Sequence, residues 1–590
     1  MQQFKTGRWD LSCLTKNPKS SQFVQKIQLI EKKVKLFEKK KDKLRPNISP
    51  KEFQNMLHEL EEMSEKISMV AGYAHLSYAA DTQSDEATSL VTKMTKLASN
   101  IENRTLFFDL WWKKKIDEKN ATRLVKNTGH LSNYLRYKRL MAKYSLSEPE
   151  EKIINTLDVT GISALVKLYD KITNVFEYVV NINGKKKKLT REELTSLVRS
   201  SKSKIREIAY KTLLDKYFTN KGVLGEIYQN IVLNWKDEGI EIRGFSSPIS
   251  IRNIGNDVDD KTIESLLDVC KKNAFVFQKF FVQKAKLLEM KKLRRYDLYA
   301  PITAKLKEKN YSYDKSVRLV LESLKIFSPK LSDFAKDVFI KNHIDSEIRH
   351  GKRDGAFCST ISPKIAPYVL VNFTGKTRDV FTLAHELGHA VHSKAASDKS
   401  ILVLEAPLPL AETASTFSEL LLYDNLSNMV EDKEKKLMLA EKIDDFYATI
   451  LRQAFFTLFE TKIHNQISDG TTVDEISKTY LCNLKEQFGS SVNLSDDFAL
   501  EWSCIPHFYH TPFYCYAYSF GNLLALSLYQ RYKIEGDDFV PIYLKILGAG
   551  GSQKPELLLE QYGFDLGSSK FWQDGFDYIK DQVKTLASLN

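Results

Sequence analysis

Residues 381–392 read FTLAHELGHAVH and contain His385-Glu386-Leu387-Gly388-His389, an HExxH pattern. Four helical residues turn about 400°, so the two histidines lie about 40° apart on one helix face, one turn apart. Two imidazoles so placed can ligate one Zn²⁺, and Glu386 beside the first can take a proton from a water that the metal activates. With eleven histidines in the chain, a bare HExxH arises by chance in on the order of one per hundred such chains. The neighbours argue against chance. Leu383, Ala384, Leu387, Gly388, Ala390 and Val391 make the helix too apolar for a solvated face, and His and Glu on a buried helix need partners.

A catalytic zinc takes a third protein ligand and keeps one position open. The metzincin pattern supplies a third histidine, but AVHSKAASDKS follows here, and His392 fits neither its glycine nor its histidine. The other source is a glutamate on a following helix. LEAPLPLAETASTFSELLL offers Glu405, Glu412 and Glu419. Glu405 stands before Pro407 and Pro409, in an expected loop. Glu412 opens a helix directly after the prolines and is the expected ligand; Glu419, seven residues on, shares its face and is expected behind the metal shell.

AHELGHAVH followed by PLAETASTFSE resembles the thimet oligopeptidase superfamily of zinc peptidases, and within it the oligoendopeptidase F branch. RWDLS near the start, DGAFCS at 354–359, IPHFYHTPFYCYAYSFG at 505–521 and LGAGGS at 547–552 agree, so the resemblance touches nearly the whole chain. It implies a mainly α, multi-helix ellipsoidal zincin-type fold with a small sheet beside the HExxH helix and a deep substrate channel. It implies cleavage of short peptides rather than folded proteins, one Zn²⁺ per chain held by His385, His389 and Glu412, and Glu386 as base.

HExxH chemistry leaves an oxyanion that needs donors beyond the metal. The densest His/Tyr cluster, residues 507–518, holds hydroxyls and imidazoles that can donate. The resemblance implies that a His and tyrosines of this segment contact the substrate carbonyl: His507, Tyr509 and Tyr516, with Tyr514 and His510 as substrate-binding candidates. Cys358 and Cys504 lack the partners of a cysteine peptidase and are expected to be structural. GAGGS follows a helical run, so it is no dinucleotide fingerprint; a loop that touches substrate or packs helices is expected. Tyr368–Phe373 is expected to be a strand, either buried or an edge that pairs with an extended peptide.

These residues need a helical scaffold. Phe53, Met56, Leu57 and Leu60, then Met63, Ile67 and Val70, recur at helical spacing over 50–125. Ser49-Pro50-Lys51-Glu52, Ser147 with Glu150, and Thr190 with Glu193 are helix starts. FEYVVNI-NG-KKKKL, 176–189, reads as a hairpin with a type I′ turn at Asn183-Gly184. The expected organisation is a helical lobe over 1–190 and a catalytic region over 191–590, with a sheet near 340–373, zinc helices over 378–425 and the His/Tyr segment at 502–521.

Composition narrows the class. Across 590 residues, Lys+Arg is 88 and Asp+Glu 75, a net charge of +13. The basic runs are dispersed and carry no zinc-finger or RNA-binding signature, so no nucleic-acid partner is expected. MQQFKTGRWDLS has no apolar run of signal-peptide length, and no stretch approaches the about 18 apolar residues of a membrane span. The six cysteines, Cys13, Cys270, Cys358, Cys482, Cys504 and Cys515, form no CxxC pair. The expectation is a cytoplasmic protein, monomer or homo-oligomer, with short peptides as partners and no membrane contact. Two other readings stand beside it: a dipeptidyl carboxypeptidase-like exopeptidase, and a non-catalytic peptide-binding protein, for which Glu386 would be superfluous.

Overall fold

The structure, a computed structural model, describes residues 3–182, 184–302 and 309–589. It is helical almost throughout, with three small sheets. No helix among the described residues is long and apolar enough to cross a membrane. The chain forms two compact units, each of three stretches. The first is Met1–Lys143, Glu308–Asn428 and Arg531–Phe564; the second is Tyr144–Lys307, Met429–Gln530 and Asp565–Asn590. This division differs from a cut at residue 190. Phe176, just before the hairpin, packs edge-on against Tyr217 of the helix Ser203–Thr219, with ring centroids 5.3 Å apart, so hairpin and helix share the second unit.

In the first unit the apolar stripe beginning at Phe53 becomes the helix Pro50–Ala80, with Ser49 Oγ accepting from Glu52 N–H at 3.2 Å and Pro50 in the first turn. The chain breaks at Asp81–Ser84 and Ser84 caps the next helix, Asp85–Leu110. The two helices bury Phe53 among Phe108, Trp111 and Trp112.

The sheet beside the HExxH helix has three strands: Ile344–Asp345, Phe357–Ser359 and Tyr368–Leu370. Tyr368–Leu370 is the central one, parallel to Ile344–Asp345 and antiparallel to Phe357–Ser359. The edge-strand expectation for Tyr368–Phe373 is therefore corrected. Tyr368, Val369 and Leu370 are all fully buried, which demands cover on both faces and a neighbour on both sides. Beyond Val371, Asn372 turns its amide to the Arg353 and Gly355 carbonyls and the ladder ends. The N-terminal RWDLS stretch covers the other side: Asp10 N–H donates to Asn342 O at 2.7 Å, Ser346 N–H to Gly7 O at 2.9 Å, and Trp9 packs on Phe357 and Tyr368. Asp345, fully buried, is held by Arg349 at 2.7 Å and Lys352 at 3.0 Å, as a buried carboxylate requires.

The HExxH helix runs Thr377–Ala395, and Asp379 Oδ2 accepts from Thr374 N–H and Lys376 N–H at its start. The glycines of GAGGS pack on the loop before the second metal-motif helix. Gly551 N–H donates to Val403 O at 2.8 Å, and a Cβ on Gly550, whose φ is +52°, would meet the Val403 and Leu404 carbonyls at 2.7 and 2.8 Å.

In the second unit the hairpin pairs Tyr178–Ile182 with Lys185–Leu189 in antiparallel register, Ile182 opposite Lys185. Gly184 has φ +80°, which a turn glycine supplies; Asn183 lies outside the described residues. Capping boxes at Ser147 and Thr190 start the helices Glu148–Thr160 and Arg191–Ser196. The core carries buried ion pairs, Arg206 with Asp297 at 2.7 Å and Arg295 with Glu501 at 2.5 Å. All six cysteines are unpaired.

Candidate active site

The HExxH helix and the helix Thr413–Ser427 bring together His385, His389 and Glu412, each with one ligand atom within 4.8 Å of the others'. His385 Nε2 and His389 Nε2 face the same oxygen, Glu412 Oε2, at 3.3 and 3.7 Å. The rings stand nearly perpendicular, 4.9 Å apart. Behind them His385 Nδ1 meets Glu419 Oε1 at 2.7 Å. That contact commits the Nδ1 proton to a carboxylate and leaves the Nε2 lone pair facing the centre. Two imidazole nitrogens and a carboxylate oxygen converging on one point are the donor set that Zn²⁺ accepts. The residues present therefore fit the metal.

Local sequence explains the convergence. Pro407 and Pro409 confine the preceding chain to the short helix Leu408–Ala411, and Glu412, outside helical geometry, leads into Thr413–Ser427. Ser415 Oγ donates to Glu412 Oε2 at 2.5 Å and fixes its rotamer. Gly388 permits the approach. A Cβ there would lie 2.6 Å from Ala414 O and from Ser415 Cα, so any larger residue pushes the two helices apart.

A cavity of about 430 Å³ opens over this group, lined among others by Phe357, Cys358, Glu386, His392 and Glu405. Glu386 is buried, and burial pushes its carboxyl up to about 7, opposed by His385 and assisted by Glu412 and Glu419. Burial lowers His385, but Glu419, Glu412 and Glu386 outweigh it and hold the imidazole up at about 9. His389 is lowered, chiefly by burial, and His392 falls to about 4 for the same reason. A bound dication reverses the balance at the ligands, since it requires neutral imidazoles and ionised carboxylates. Glu405 lines the cavity outside the three-residue cluster, with its carboxyl raised by burial. Burial raises the Cys358 thiol far above its usual range, which keeps it inert.

The 505–518 segment belongs to the second unit, where it divides into two sets. Tyr509 is fully buried; its hydroxyl donates to Leu224 O at 3.3 Å and its ring stacks on Tyr169 at 3.7 Å. Tyr516 is fully buried and accepts from Asn256 Nδ2 at 2.8 Å. His507, Tyr514 and Tyr518 form a separate half-buried cluster: His507 Nε2 lies 3.4 Å from Tyr518 Oη, the His507 and Tyr514 rings stack at 5.7 Å, and Tyr514 meets Tyr518 edge-on at 5.4 Å. His510 is exposed and meets Asp170 at 2.8 Å. Tyr518, the last residue of the 507–518 cluster and given no role by the sequence alone, joins His507 and Tyr514 here. Its one signal is the four-residue step from Tyr514 at the start of the helix Tyr516–Glu535. Within the segment Phe513 takes a left-handed backbone, φ +58°, held by its N–H donating to Glu460 Oε1 at 2.9 Å. Burial raises Glu460 to about 8 against the pull of the Phe513 N–H and Arg252.

Comparison with known proteins decides the family. Residues 196–578 match the family described as Peptidase family M3. The chain belongs to peptidase family M3. This M3 peptidase is 30% identical over 606 residues to the Oligoendopeptidase F homolog of Borreliella burgdorferi, covering 99% of this chain and 98% of that one. It is 26% identical over 536 residues to the chromosomal Oligoendopeptidase F of Lactococcus lactis subsp. cremoris, covering 89% and 88%. The crystal structure of oligoendopeptidase-F from Enterococcus faecium shares its fold, with a TM-score of 0.70 at 20% identity over 96% of this chain and 98% of that one. The protein is a metallopeptidase of the oligoendopeptidase kind.

Gly388→Ala is expected to separate the two metal-motif helices and weaken binding of a divalent metal about tenfold or more, measured by competition with a chromophoric chelator. Unchanged affinity would mean that something other than this contact sets the Glu412 position. At Glu460, the folded chain holds a proton that the unfolded chain releases above about 4.5. Its contribution to stability is full below that pH, declines as pH rises and is lost beyond about 8. The melting temperature of Glu460→Gln relative to the parent is therefore expected to climb between pH 5 and pH 9, read by thermal melts across that range; a flat difference would contradict the shift.

Proposed function

We propose that this M3 peptidase is a zinc-dependent endopeptidase that hydrolyses internal bonds of short oligopeptides. The observation that carries the reading is the convergence of His385, His389 and Glu412, with buried Glu386 in the same cavity. His385, His389 and Glu412 would hold the ion, with Glu419 orienting His385. Zinc bound there supplies a Lewis acid and lowers the pKa of water to about 7. Glu386, buried beside the metal ligands, would take the proton of the attacking water and deliver it to the departing amine. The Phe357–Ser359 strand pairs with Tyr368–Leu370 on one side and borders the cavity. An extended peptide bound along such a strand is held by its backbone, which suits an enzyme that accepts many sequences. His507, Tyr514 and Tyr518 are half-buried rather than sealed in the core, and their donors suit the carbonyl oxygen on which charge builds. The unpaired cysteines suit a reducing, cytoplasmic setting.

Glu386→Gln is expected to keep one zinc per chain and to lower kcat on an end-blocked peptide by about 10²–10⁴-fold, with metal content and turnover measured on one preparation. Near-normal turnover of the zinc-loaded variant would remove Glu386 from the mechanism. End-blocked peptides that are left intact while free ones lose C-terminal dipeptides would favour an exopeptidase instead.

Tyr518→Phe is expected to cost about 10²–10³ in kcat with little change in KM. Tyr509→Phe, which removes a hydroxyl bound to a core carbonyl, should lower stability by about 1 kcal/mol and leave kcat nearly unchanged. Steady-state kinetics and melting temperatures for both variants separate the roles; the reverse pattern would return the donor role to Tyr509.

A further inference from the structure

The second unit contains a cavity of about 300 Å³ that the peptidase reading does not use. Three guanidiniums line it, two from consecutive turns and one from a distant helix. Arg191 opens the helix Arg191–Ser196, Arg199 lies in the turn that follows, and Arg452 begins the helix Arg452–Ser468. The one carboxylate among its lining residues is Glu501, and a fourth arginine already occupies it: Arg295 Nη2 donates to Glu501 Oε1 at 2.5 Å, while Tyr480 donates to Oε2 at 3.2 Å. Arg452 stands 3.7 Å from Glu501 Oε1, outside hydrogen-bond reach.

Apart from the long ion pair of Arg452 with Glu501, the three lining arginines rest on neutral groups. Arg191 donates to Cys504 O at 2.7 Å and lies over the Tyr217 ring; Arg199 lies over Tyr299; Arg452 donates to Tyr299 Oη at 3.3 Å and lies over Phe456. Carbonyls and aromatic faces orient a guanidinium but leave its charge in place. Asp444, whose electrostatics couple to Arg199, is paired with buried Lys284. Glu501, already held by Arg295, is thus the one lining carboxylate against three lining guanidiniums, and exposed Arg199 leaves that excess positive charge open to an anion. The planar fork of arginine matches a carboxylate.

The remaining walls set the rest of the ligand. Val198, Leu213, Leu214 and Ile505 are apolar and Tyr210 presents a ring. The volume is that of a small-ligand pocket, far larger than one inorganic ion needs. We propose that the Arg191–Arg199–Arg452 cavity is a binding site for a carboxylate carried on an apolar body, supplied either by the C-terminal residue of a peptide or by a free organic acid.

The test titrates N-acetylphenylalanine and N-acetylphenylalaninamide, identical but for the charge, into the zinc-loaded protein by calorimetry. The acid is expected to bind about tenfold or more tighter than the amide, and Arg199→Gln is expected to remove about tenfold in Kd for the acid. Arg199 is exposed, so this variant should retain its melting temperature; Arg452→Lys, which keeps the charge and loses the fork, should fall between. Acid and amide binding alike, or an acid Kd that both variants leave within about twofold, would overturn the site, because binding would then lie elsewhere. A second arm distinguishes the sources and is the only part that rests on the peptidase reading. Matched peptides with free and amidated C-termini are titrated into zinc-loaded Glu386→Gln, with and without Arg199→Gln. A preference for the free terminus that Arg199→Gln abolishes identifies the peptide as source. Equal binding of the two peptides, with the acid still dependent on Arg199, identifies a free acid.

Discussion

Everything at the metal motif depends on how closely two helix backbones approach at Gly388. No side chain separates Thr377–Ala395 from Thr413–Ser427 there: the missing Cβ would overlap Ala414 O and Ser415 Cα. At that separation a glutamate side chain spans the gap, so Glu412 and Glu419 both reach His385, one at each ring nitrogen. The second helix is itself fixed. It is buried along almost its whole length, and Phe417 packs on Phe327 and stacks on Tyr543 at 4.2 Å. The position of a single carboxylate oxygen is thus inherited from the apolar packing of the first unit.

Electrostatics then decides what the motif can do. Three imidazoles and three carboxyls line one cavity, and neither burial nor their mutual pairing neutralises the set. The raised Glu386 and His385 are the signature of that unresolved charge. A dication held by His385, His389 and Glu412 would supply the compensation that the polypeptide lacks. The second unit shows the opposite imbalance, with guanidiniums in excess of carboxylates around Glu501. In both places side chains are held in a geometry that the protein alone does not neutralise, and both border cavities.

The 505–518 segment shows how a run of similar residues is sorted by its surroundings. Tyr509 and Tyr516 give their rings and hydroxyls to the interior, while His507, Tyr514 and Tyr518 stay within reach of solvent. The segment also turns at Phe513, whose left-handed backbone is a conformation that a bulky residue adopts only under restraint. The hydrogen bond from its N–H to buried Glu460 supplies that restraint.

What the sequence by itself determined was whatever helix geometry dictates within a few turns. The four-residue step from His385 to His389 and the seven-residue step from Glu412 to Glu419 put each pair on one face wherever the helices lie. Prolines 407 and 409 announced the break before Glu412, and the caps at Ser49, Ser147 and Thr190 marked helix starts that the structure retains. The family followed from the same short stretches. Only the tertiary structure decided which strand of the small sheet is interior, which tyrosine hydroxyls the core absorbs, and that Arg191 and Arg199 meet Arg452 in one cavity. Those outcomes depend on contacts between residues tens to hundreds of positions apart. A period of 2 or 3.6 says which way a side chain points along its own element and carries nothing about what stands opposite.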